Sequence, residues 1–167
     1  MELKTKITAE DGKQEIFITR EFDIPLNLLF KAYTDAEIVG QWMGTNVLSL
    51  ENRKHGSYQF ETRNNNGDII FKAHGSIHDI IWDHLIIRTF QMENTSFPAQ
   101  MEFLTFEKIS ENRSKITIQS IYKSVEIRDQ MLKLPFAQGI NMAHNRLEEV
   151  ILSLLNNNLN SKIKHYD

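Results

Sequence analysis

The sequence contains no cysteine, which excludes disulfide bonds, thiolate zinc sites and cysteine nucleophiles. The absence suits a reducing compartment, so we expect a cytoplasmic protein. No stretch approaches the ~18 apolar residues that a membrane-spanning helix needs. The beginning of the chain, MELKTKITAEDGKQE, is charged throughout and lacks the apolar centre of a secretory signal peptide.

The chain also lacks a concentration of positive charge and the short motifs of common enzymes. Its formal net charge is −3, and its Lys and Arg residues are scattered. Because phosphate binding needs a basic patch, we expect no nucleic-acid partner. The motifs G-x-S-x-G, G-x-x-x-x-G-K and G-x-G-x-x-G are missing. We therefore expect a protein that is not an enzyme and that holds no cofactor.

What the sequence does contain is typical of one globular domain. Its 167 residues are 41% hydrophobic and 25% charged, a composition that buries a full core without metals or disulfides. We predict a single domain over residues 1–167 with its core at about 14–155. The polar tail, residues 156–167, has little to bury and is predicted to be frayed.

Local patterns predict a strand and two short helices first. KQEIFITREF (13–22) is rich in β-branched and aromatic residues and indicates a strand. Pro25 suits the first turn of a helix that ends near Tyr33. Thr34 and Glu37 have the spacing of a capping box, so a second helix is predicted to begin there and to end at Gly44.

The remainder of the chain divides into strands and one long helix. Alternating apolar residues over 46–122 predict antiparallel strands joined by short turns, with a hairpin at Asn66-Gly67. With the first strand, the count is six or seven. A helix of roughly twenty residues is predicted next from an apolar stripe that faces the sheet. The stripe consists of Phe136, Ile140, Ala143, Leu147, Ile151 and Leu154.

REFDIPLNLLFKAYTDAEIVGQWMG (20–44) resembles the opening of the activator of heat-shock-protein ATPase homologue-like family, within the SRPBCC or START-like superfamily. Members tend to read Arg-x-Phe-x-Ala-Pro, Val-Phe-x-Ala-x-Thr-Asp and Gln-Trp-Trp-Gly. HGSYQFETRNNNGDIIFKAHGSI, LTFEK and RDQMLKLPFAQGINMAHNRLEEVI extend the resemblance over roughly residues 14–155. The chain departs from the family at Met43, His55 and Ile140, where Trp, Gly and Trp are common.

The resemblance implies an α+β helix-grip fold like that of the birch-pollen allergen. A curved antiparallel sheet of six to seven strands would wrap around the long C-terminal helix, with two short helices between strands 1 and 2. Gly139 costs that helix about 1 kcal/mol relative to alanine. Simple tolerance near the helix start would explain it, but the family pattern favours a close approach of the helix to the short-helix corner or to a ligand.

Such folds often keep an apolar cavity between helix and sheet. We predict a cavity lined mainly by aromatic side chains, with Trp42 near its base or mouth, although core packing would explain any one of them singly. The candidates are Trp42, Tyr58, Phe60, Phe71, Phe90, Met101, Phe103, Tyr122, Phe136 and Ile140.

Two polar residues are candidates for the same cavity. Arg88 is in phase with Phe90 and Met92 on its strand. If these point inward, Arg88 is a buried cation suited to a ligand carboxylate; if outward, it lies on the surface, which we expect. His55 lies in a predicted loop from which it could reach the cavity mouth, although a surface position is again expected.

A metal site is not expected. His74 and His78 are four residues apart on a predicted strand, a separation of ~13 Å that one metal ion cannot bridge. Both also alternate out of phase with the apolar residues of that strand, so we expect them to face solvent.

Three functions are consistent with the sequence. The first is binding of a small hydrophobic, amphipathic or lipid-like ligand. The second is a stress-response or co-chaperone role through protein contacts, including a chaperone partner. The third is a cyclase- or dehydratase-like enzyme, which would need Arg88, His55 or Tyr122 to project into the cavity. A homodimer is compatible with each.

Overall fold

The computed structural model describes the backbone of residues 2–163 and the side chains of residues 2–159. Eight antiparallel strands form one curved sheet in the order β1-β2-β8-β7-β6-β5-β4-β3. The strands are β1 Lys6–Thr8, β2 Glu15–Phe22, β3 Asn46–Leu50, β4 Ser57–Arg63, β5 Ile69–Ile81, β6 Leu85–Met92, β7 Gln100–Ser110 and β8 Arg113–Ile121. The helices are α1 Leu26–Thr34, α2 Ala36–Met43, α3 Val125–Leu132 and α4 Phe136–Ile163.

This is the helix-grip fold that the resemblance implies, with one strand more than predicted. The additional strand, β1, has three residues and pairs with β2 at the edge of the sheet. A strand this short, with exposed residues at both ends, carries too little alternation to be recognised in sequence. None of the helices in residues 2–163 is long and apolar enough to cross a membrane.

The corner between α1 and α2 is built around Asp35, which links the two helices. Its carboxylate accepts hydrogen bonds from the backbone N–H groups of Glu37, at 3.0 Å, and Ile38, at 3.2 Å. The predicted cap at Thr34 is therefore wrong by one residue, because the Thr34 hydroxyl instead donates to the carbonyl oxygen of Phe30 and remains part of α1. Gly44 ends α2 as predicted, in the left-handed conformation (φ 64°).

The alternation of β2 directs Ile16, Ile18, Arg20 and Phe22 toward the interior. On β7 the inward set is Gln100, Glu102, Leu104 and Phe106, which leaves the residues between them on the other face. The hairpin predicted at Asn66-Gly67 joins β4 to β5, with Gly67 at φ 83°.

Two features of the helical part differ from the sequence interpretation. A separate helix, α3, precedes α4, and its N-terminus is capped by the hydroxyl of Ser124, which accepts from the N–H of Ile127 at 3.2 Å. The backbone also stays helical from residue 156 through Ile163, where a frayed tail was predicted. That segment contains neither glycine nor proline to end the helix. Residues 164–167 of the predicted tail lie outside the described range.

The close approach predicted at Gly139 is absent. A Cβ built on this residue meets no atom within 4 Å in the described part of the chain, and Gly139 is exposed. The glycine is therefore tolerated near the start of α4 rather than required by a neighbour.

A buried polar network holds α4 against β2 and the segment before β1. Arg20 donates to the hydroxyl of Thr5 at 3.1 Å, and to the side-chain oxygens of Asn141 at 3.3 Å and Asn145 at 2.9 Å. His144, fully buried, hydrogen-bonds through Nδ1 with the Thr5 hydroxyl at 2.9 Å. Burial, followed by the charge of Arg20, lowers the pKa of His144 from 6.5 to about 3. The histidine is therefore neutral in the folded protein near pH 7.

The other hydrogen bond of His144 joins its Nε2 to the Tyr33 hydroxyl of α1, at 3.3 Å. Glu148, one turn further along α4, places a carboxylate oxygen 3.8 Å from the Arg20 guanidinium. The network therefore ties three parts of the chain to one face of α4 and fixes the height of that helix above the sheet.

Candidate functional site

A cavity of about 280 Å³ lies between the sheet and the two C-terminal helices. From the sheet, Ile18 of β2, Phe90 and Met92 of β6 and Ile118 of β8 form one wall. From α3 and α4, Met131, Phe136, Ile140 and Ala143 form the facing wall. These residues make both walls predominantly apolar, which is the usual character of a small-molecule pocket.

The α1–α2 corner closes one end of this cavity through Tyr33, Trp42 and Met43. Trp42 is 4% exposed, and its indole Nε1 donates to the carbonyl oxygen of Ala32 at 2.7 Å. Its ring lies 5.1 Å, centroid to centroid, from that of Tyr33. From α4, Arg146 donates to the carbonyl oxygen of Trp42 at 3.0 Å. Trp42 is therefore held by the corner and by α4 while one side of it faces the cavity.

A polar group of side chains lies on the sheet side of the cavity. Arg88 of β6, Glu102 of β7 and Ser120 of β8 are directly opposite one another across three neighbouring strands. The Nε of Arg88 donates to a carboxylate oxygen of Glu102 at 2.9 Å, and Gln100 donates to the other carboxylate oxygen at 3.0 Å. The remaining member, Tyr122, follows β8.

Arg88 is a largely buried cation: its side chain is 13% exposed, and that of Glu102 is 12% exposed. Its guanidinium carbon lies 5.0 Å from the ring centroid of Tyr58, a cation–π distance. Burial acts to lower the pKa of Arg88, but Tyr58 and Glu102 outweigh it and raise that pKa, so Arg88 stays charged. The expected surface position of Arg88 is therefore wrong: Phe90 and Met92 point inward and carry Arg88 with them.

The structure brings five of the ten apolar and aromatic candidates to the cavity: Trp42, Phe90, Tyr122, Phe136 and Ile140. Tyr58 and Phe60 are buried in a second core cluster with Val39 and Ile77, and Phe71 packs against that cluster. Tyr58 still acts on the cavity indirectly, because its ring covers Arg88.

Met101 and Phe103 do not reach the cavity. They alternate with Gln100, Glu102 and Leu104, whose side chains point inward, and so lie on the outer face of β7. The error arises because apolar residues occupy both faces of this strand, and hydrophobicity alone does not show which face is inside.

His55 does not line the cavity either. It is exposed in a loop with φ 64°, and its backbone N–H donates to the carbonyl oxygen of Ile77 at 2.9 Å. His74 and His78 are both exposed on β5. Among the described residues, no group of three or more His, Asp or Glu side chains is close enough to hold a metal ion.

Several residues that line the cavity were not predicted. Glu102, Gln100 and Ser120 are ordinary polar positions in the sequence, and only the register of β6, β7 and β8 shows that they meet Arg88. The three methionines, Met43, Met92 and Met131, are also missed, because methionine carries no pattern that separates cavity from core.

Comparison with solved structures finds the same fold in several bacterial proteins. The crystal structure of protein Ms6760 from Mycobacterium smegmatis is 19% identical and has a TM-score of 0.77, covering 87% of this chain and 95% of its own. A protein from Rhodobacter sphaeroides is 15% identical with a TM-score of 0.80, and the match covers 90% of this chain and 99% of that protein. The solution structure of a protein from Staphylococcus epidermidis is 23% identical with a TM-score of 0.74, covering 87% and 94%.

Sequence comparison identifies the family to which this chain belongs. A search of curated proteins finds no significant match. The model of the family described as Activator of Hsp90 ATPase homolog 1-like protein, however, matches residues 23–151, well over half of the chain. The match begins just before α1 and ends within α4, so it includes the corner, the cavity strands β6, β7 and β8 and the part of α4 that lines the cavity, but not β2. The resemblance found in the sequence is confirmed, and the chain belongs to the family of Activator of Hsp90 ATPase homolog 1-like proteins.

Proposed function

We propose that this protein binds a small apolar or amphipathic molecule in the cavity between the sheet and α4. The observation that carries the proposal is the combination of apolar walls with one buried polar group, Arg88 and Glu102, on a single side. Apolar walls supply affinity by removing ligand surface from water, at about 25 cal/mol per Å² before ordering costs are subtracted. The polar group would orient the ligand. We further propose that the protein acts as a single cytoplasmic domain.

The cavity walls differ in how firmly they are held, and this supports entry of a ligand. Trp42, Ile118 and Met131 are buried, whereas Met43, Met92, Phe136 and Ile140 are partly exposed. Methionine adapts its shape at low cost, so the partly exposed side chains suit a mouth that accommodates a molecule.

The first test is native mass spectrometry of the purified protein, followed by denaturing extraction of whatever it holds. We expect a stoichiometric small molecule that is released on unfolding and recovered chemically unchanged. The same spectrum reports whether the protein is a monomer or a homodimer. A bare protein that also fails to bind a panel of apolar probes would contradict the proposal.

Replacement of either of two alanines on α4 by phenylalanine tests whether the ligand occupies the cavity. Ala143→Phe adds a ring where the side chain lines the cavity, and we expect it to abolish ligand retention. Ala137→Phe makes the same change at an exposed position on the same helix and should retain the ligand. Equal retention by both variants would place the ligand elsewhere.

A second candidate function is a stress-response or co-chaperone role, which the description of the family favours. It would act through the protein surface rather than the cavity. Pull-down of the chain with purified Hsp90 tests it, and the Ala143→Phe variant should bind as well as the unaltered chain if the surface is responsible. Absence of binding would eliminate this candidate.

The enzymatic alternative has narrower support. Of its three candidate groups, Arg88 and Tyr122 line the cavity and His55 does not. Arg88 is paired with Glu102, and burial raises the pKa of Tyr122, so neither is prepared to accept a proton near pH 7. We therefore favour binding without catalysis. Conversion of the extracted ligand during prolonged incubation with the protein would reverse that preference.

A further inference from the structure

The ion pair on the sheet side of the cavity restricts the chemistry of the ligand. We infer that the ligand is a neutral ring molecule that bears a hydrogen-bond acceptor, such as a carbonyl oxygen, at the end that meets Arg88. The inference rests on the proposed function and names the class of molecule that the same cavity selects.

The first step is the balance of charge. Arg88 and Glu102 are both about nine-tenths buried and are joined by a hydrogen bond of 2.9 Å, so the positive charge already has its counter-ion. A ligand carboxylate would place a second anion beside one guanidinium and would lose its hydration without full compensation. The sequence-based view of Arg88 as a partner for a carboxylate therefore changes once Glu102 is seen opposite it.

The second step is the supply of hydrogen-bond donors. A guanidinium has five N–H donors, and Glu102 takes the one on Nε. Neither terminal nitrogen of Arg88 makes a hydrogen bond to any side chain or backbone group within residues 2–159. Both oxygens of Glu102, in contrast, already accept, one from Arg88 and one from Gln100. The Arg88–Glu102 pair therefore offers N–H donors to a ligand, and an acceptor atom on the ligand would satisfy them.

The third step concerns the body of the ligand. A volume of about 280 Å³ lies near the lower end of the ~300–1,000 Å³ typical of small-molecule pockets, so the ligand is small. The walls that surround this space carry aromatic rings from Trp42, Phe90 and Phe136. Flat rings stack or meet edge to face on such side chains, so a molecule of one or two fused rings fits both the size and the surface.

Two probes of matched shape test the inference. 2-Acetylnaphthalene is neutral with a carbonyl acceptor, and 2-naphthoate has the same ring system and the same number of non-hydrogen atoms but carries a negative charge. Titration calorimetry of the unaltered protein at pH 7.5 should give a Kd for the ketone at least about tenfold lower than for the carboxylate.

Replacement of the counter-ion should remove the preference for the ketone. Glu102→Gln keeps the shape of the side chain and leaves Arg88 as an uncompensated cation, so 2-naphthoate should gain at least about tenfold relative to the ketone. Glu107→Gln removes an exposed carboxylate from the same strand and should leave the ratio of the two Kd values unchanged. If Glu102→Gln does not fold, the comparison of the two probes on the unaltered chain still decides.

The outcomes separate this inference from the function on which it rests. Equal affinity for the two probes, or tighter binding of 2-naphthoate to the unaltered protein, overturns the neutral-acceptor class while leaving the cavity as a binding site. Failure of both probes, together with a bare protein in the native mass spectrum, overturns the proposed function and the inference with it.

Discussion

Gly75 lies directly opposite Tyr58 in the β4–β5 ladder, and the ring of Tyr58 fills the space that a side chain at residue 75 would need. A Cβ on Gly75 would stand 2.5 Å from the Tyr58 hydroxyl oxygen and 2.0 Å from the carbonyl oxygen of Thr89. The Tyr58 hydroxyl donates to that same carbonyl. The glycine thus allows Tyr58 to extend across β5 to β6, where its ring covers Arg88.

We expect Gly75→Ala to destabilise the protein by about 1–3 kcal/mol, because the added methyl group meets backbone that belongs to a central ladder. Urea unfolding followed by circular dichroism measures the change. The substitution should also weaken binding of 2-acetylnaphthalene, since displacement of Tyr58 uncovers Arg88. An unchanged midpoint would mean that β5 and β6 separate easily at this position.

Gly139→Ala is the matched substitution, and its expected effect has the opposite sign. Nothing in the described structure lies within 4 Å of the new methyl group, and the residue is helical. Alanine should therefore stabilise the protein by about 0.4–1 kcal/mol through reduced freedom of the unfolded chain. The same urea titration tests it. Destabilisation would show that Gly139 has a role that the helix geometry does not reveal.

His144 should make stability depend on pH in the acidic range. Its pKa is about 3 when folded, against an ordinary value of 6.5. Above about pH 6.5 the histidine is neutral in both the folded and the unfolded chain, so its protonation takes nothing from the free energy of unfolding. Below that, the unfolded chain takes up a proton that the folded chain refuses, so stability falls as pH decreases toward 3. Between pH 7.5 and 5.0 the loss is about 2 kcal/mol.

The His144→Asn variant isolates this effect. The charged and titratable groups of this network are Arg20 of β2, Tyr33 of α1 and Glu148 of α4, which pairs with Arg20, and all remain in the variant. The variant should be less stable at pH 7.5, because it loses the hydrogen bond between Nε2 and Tyr33 and part of the buried ring volume. The difference from the unaltered protein should then shrink by about 2 kcal/mol at pH 5.0. Parallel stability curves would contradict the assignment.

The two tryptophans should report on different environments. Trp42 is 4% exposed and lines the cavity, whereas Trp82 is 62% exposed. Trp82→Phe should leave emission of a buried indole that changes on titration with 2-acetylnaphthalene. Trp42→Phe should leave the red-shifted emission of an exposed indole that does not respond to the probe.

Trp42→Phe should also cost about 1 kcal/mol or more of stability, because the carbonyl of Ala32 loses the indole donor. A response to the probe that persists in Trp42→Phe and disappears in Trp82→Phe would move the binding site away from the cavity.

The sequence predicts strands and helices well where the period of the apolar residues agrees with a turn or capping residue at the boundary. The hairpin at Gly67, the stop at Gly44 and the stripe from Phe136 to Ile151 each combine a periodic apolar pattern with a residue that suits the turn or the helix. Leu154, the last member of the predicted stripe, is exposed and does not face the sheet. The strand β1 and the helix α3 lack that agreement. The first is three residues long, and the second presents only Ser124 as a start signal next to a largely polar stretch.

The candidate site is less predictable because it depends on which face of each strand is inside. Arg88 shares one face of β6 with apolar residues, but the spacing does not show whether that face points inward. Met101 and Phe103 show the converse, apolar residues on the outer face of β7. The neighbours of His144 come from Thr5, Arg20 and Tyr33, more than a hundred positions earlier, and no local pattern connects them.

The polar group of the cavity belongs to the sheet, whereas the wall that faces it is helical. Arg88, Glu102 and Ser120 are fixed by ladder pairing within the sheet, while Phe136, Ile140 and Ala143 project from α4, which makes no ladder bonds. Substitutions on the helical side can therefore reshape the space without disturbing the hydrogen bonds opposite. A protein built this way can diverge in the outline of the molecules it accepts while keeping the chemical group by which it holds them.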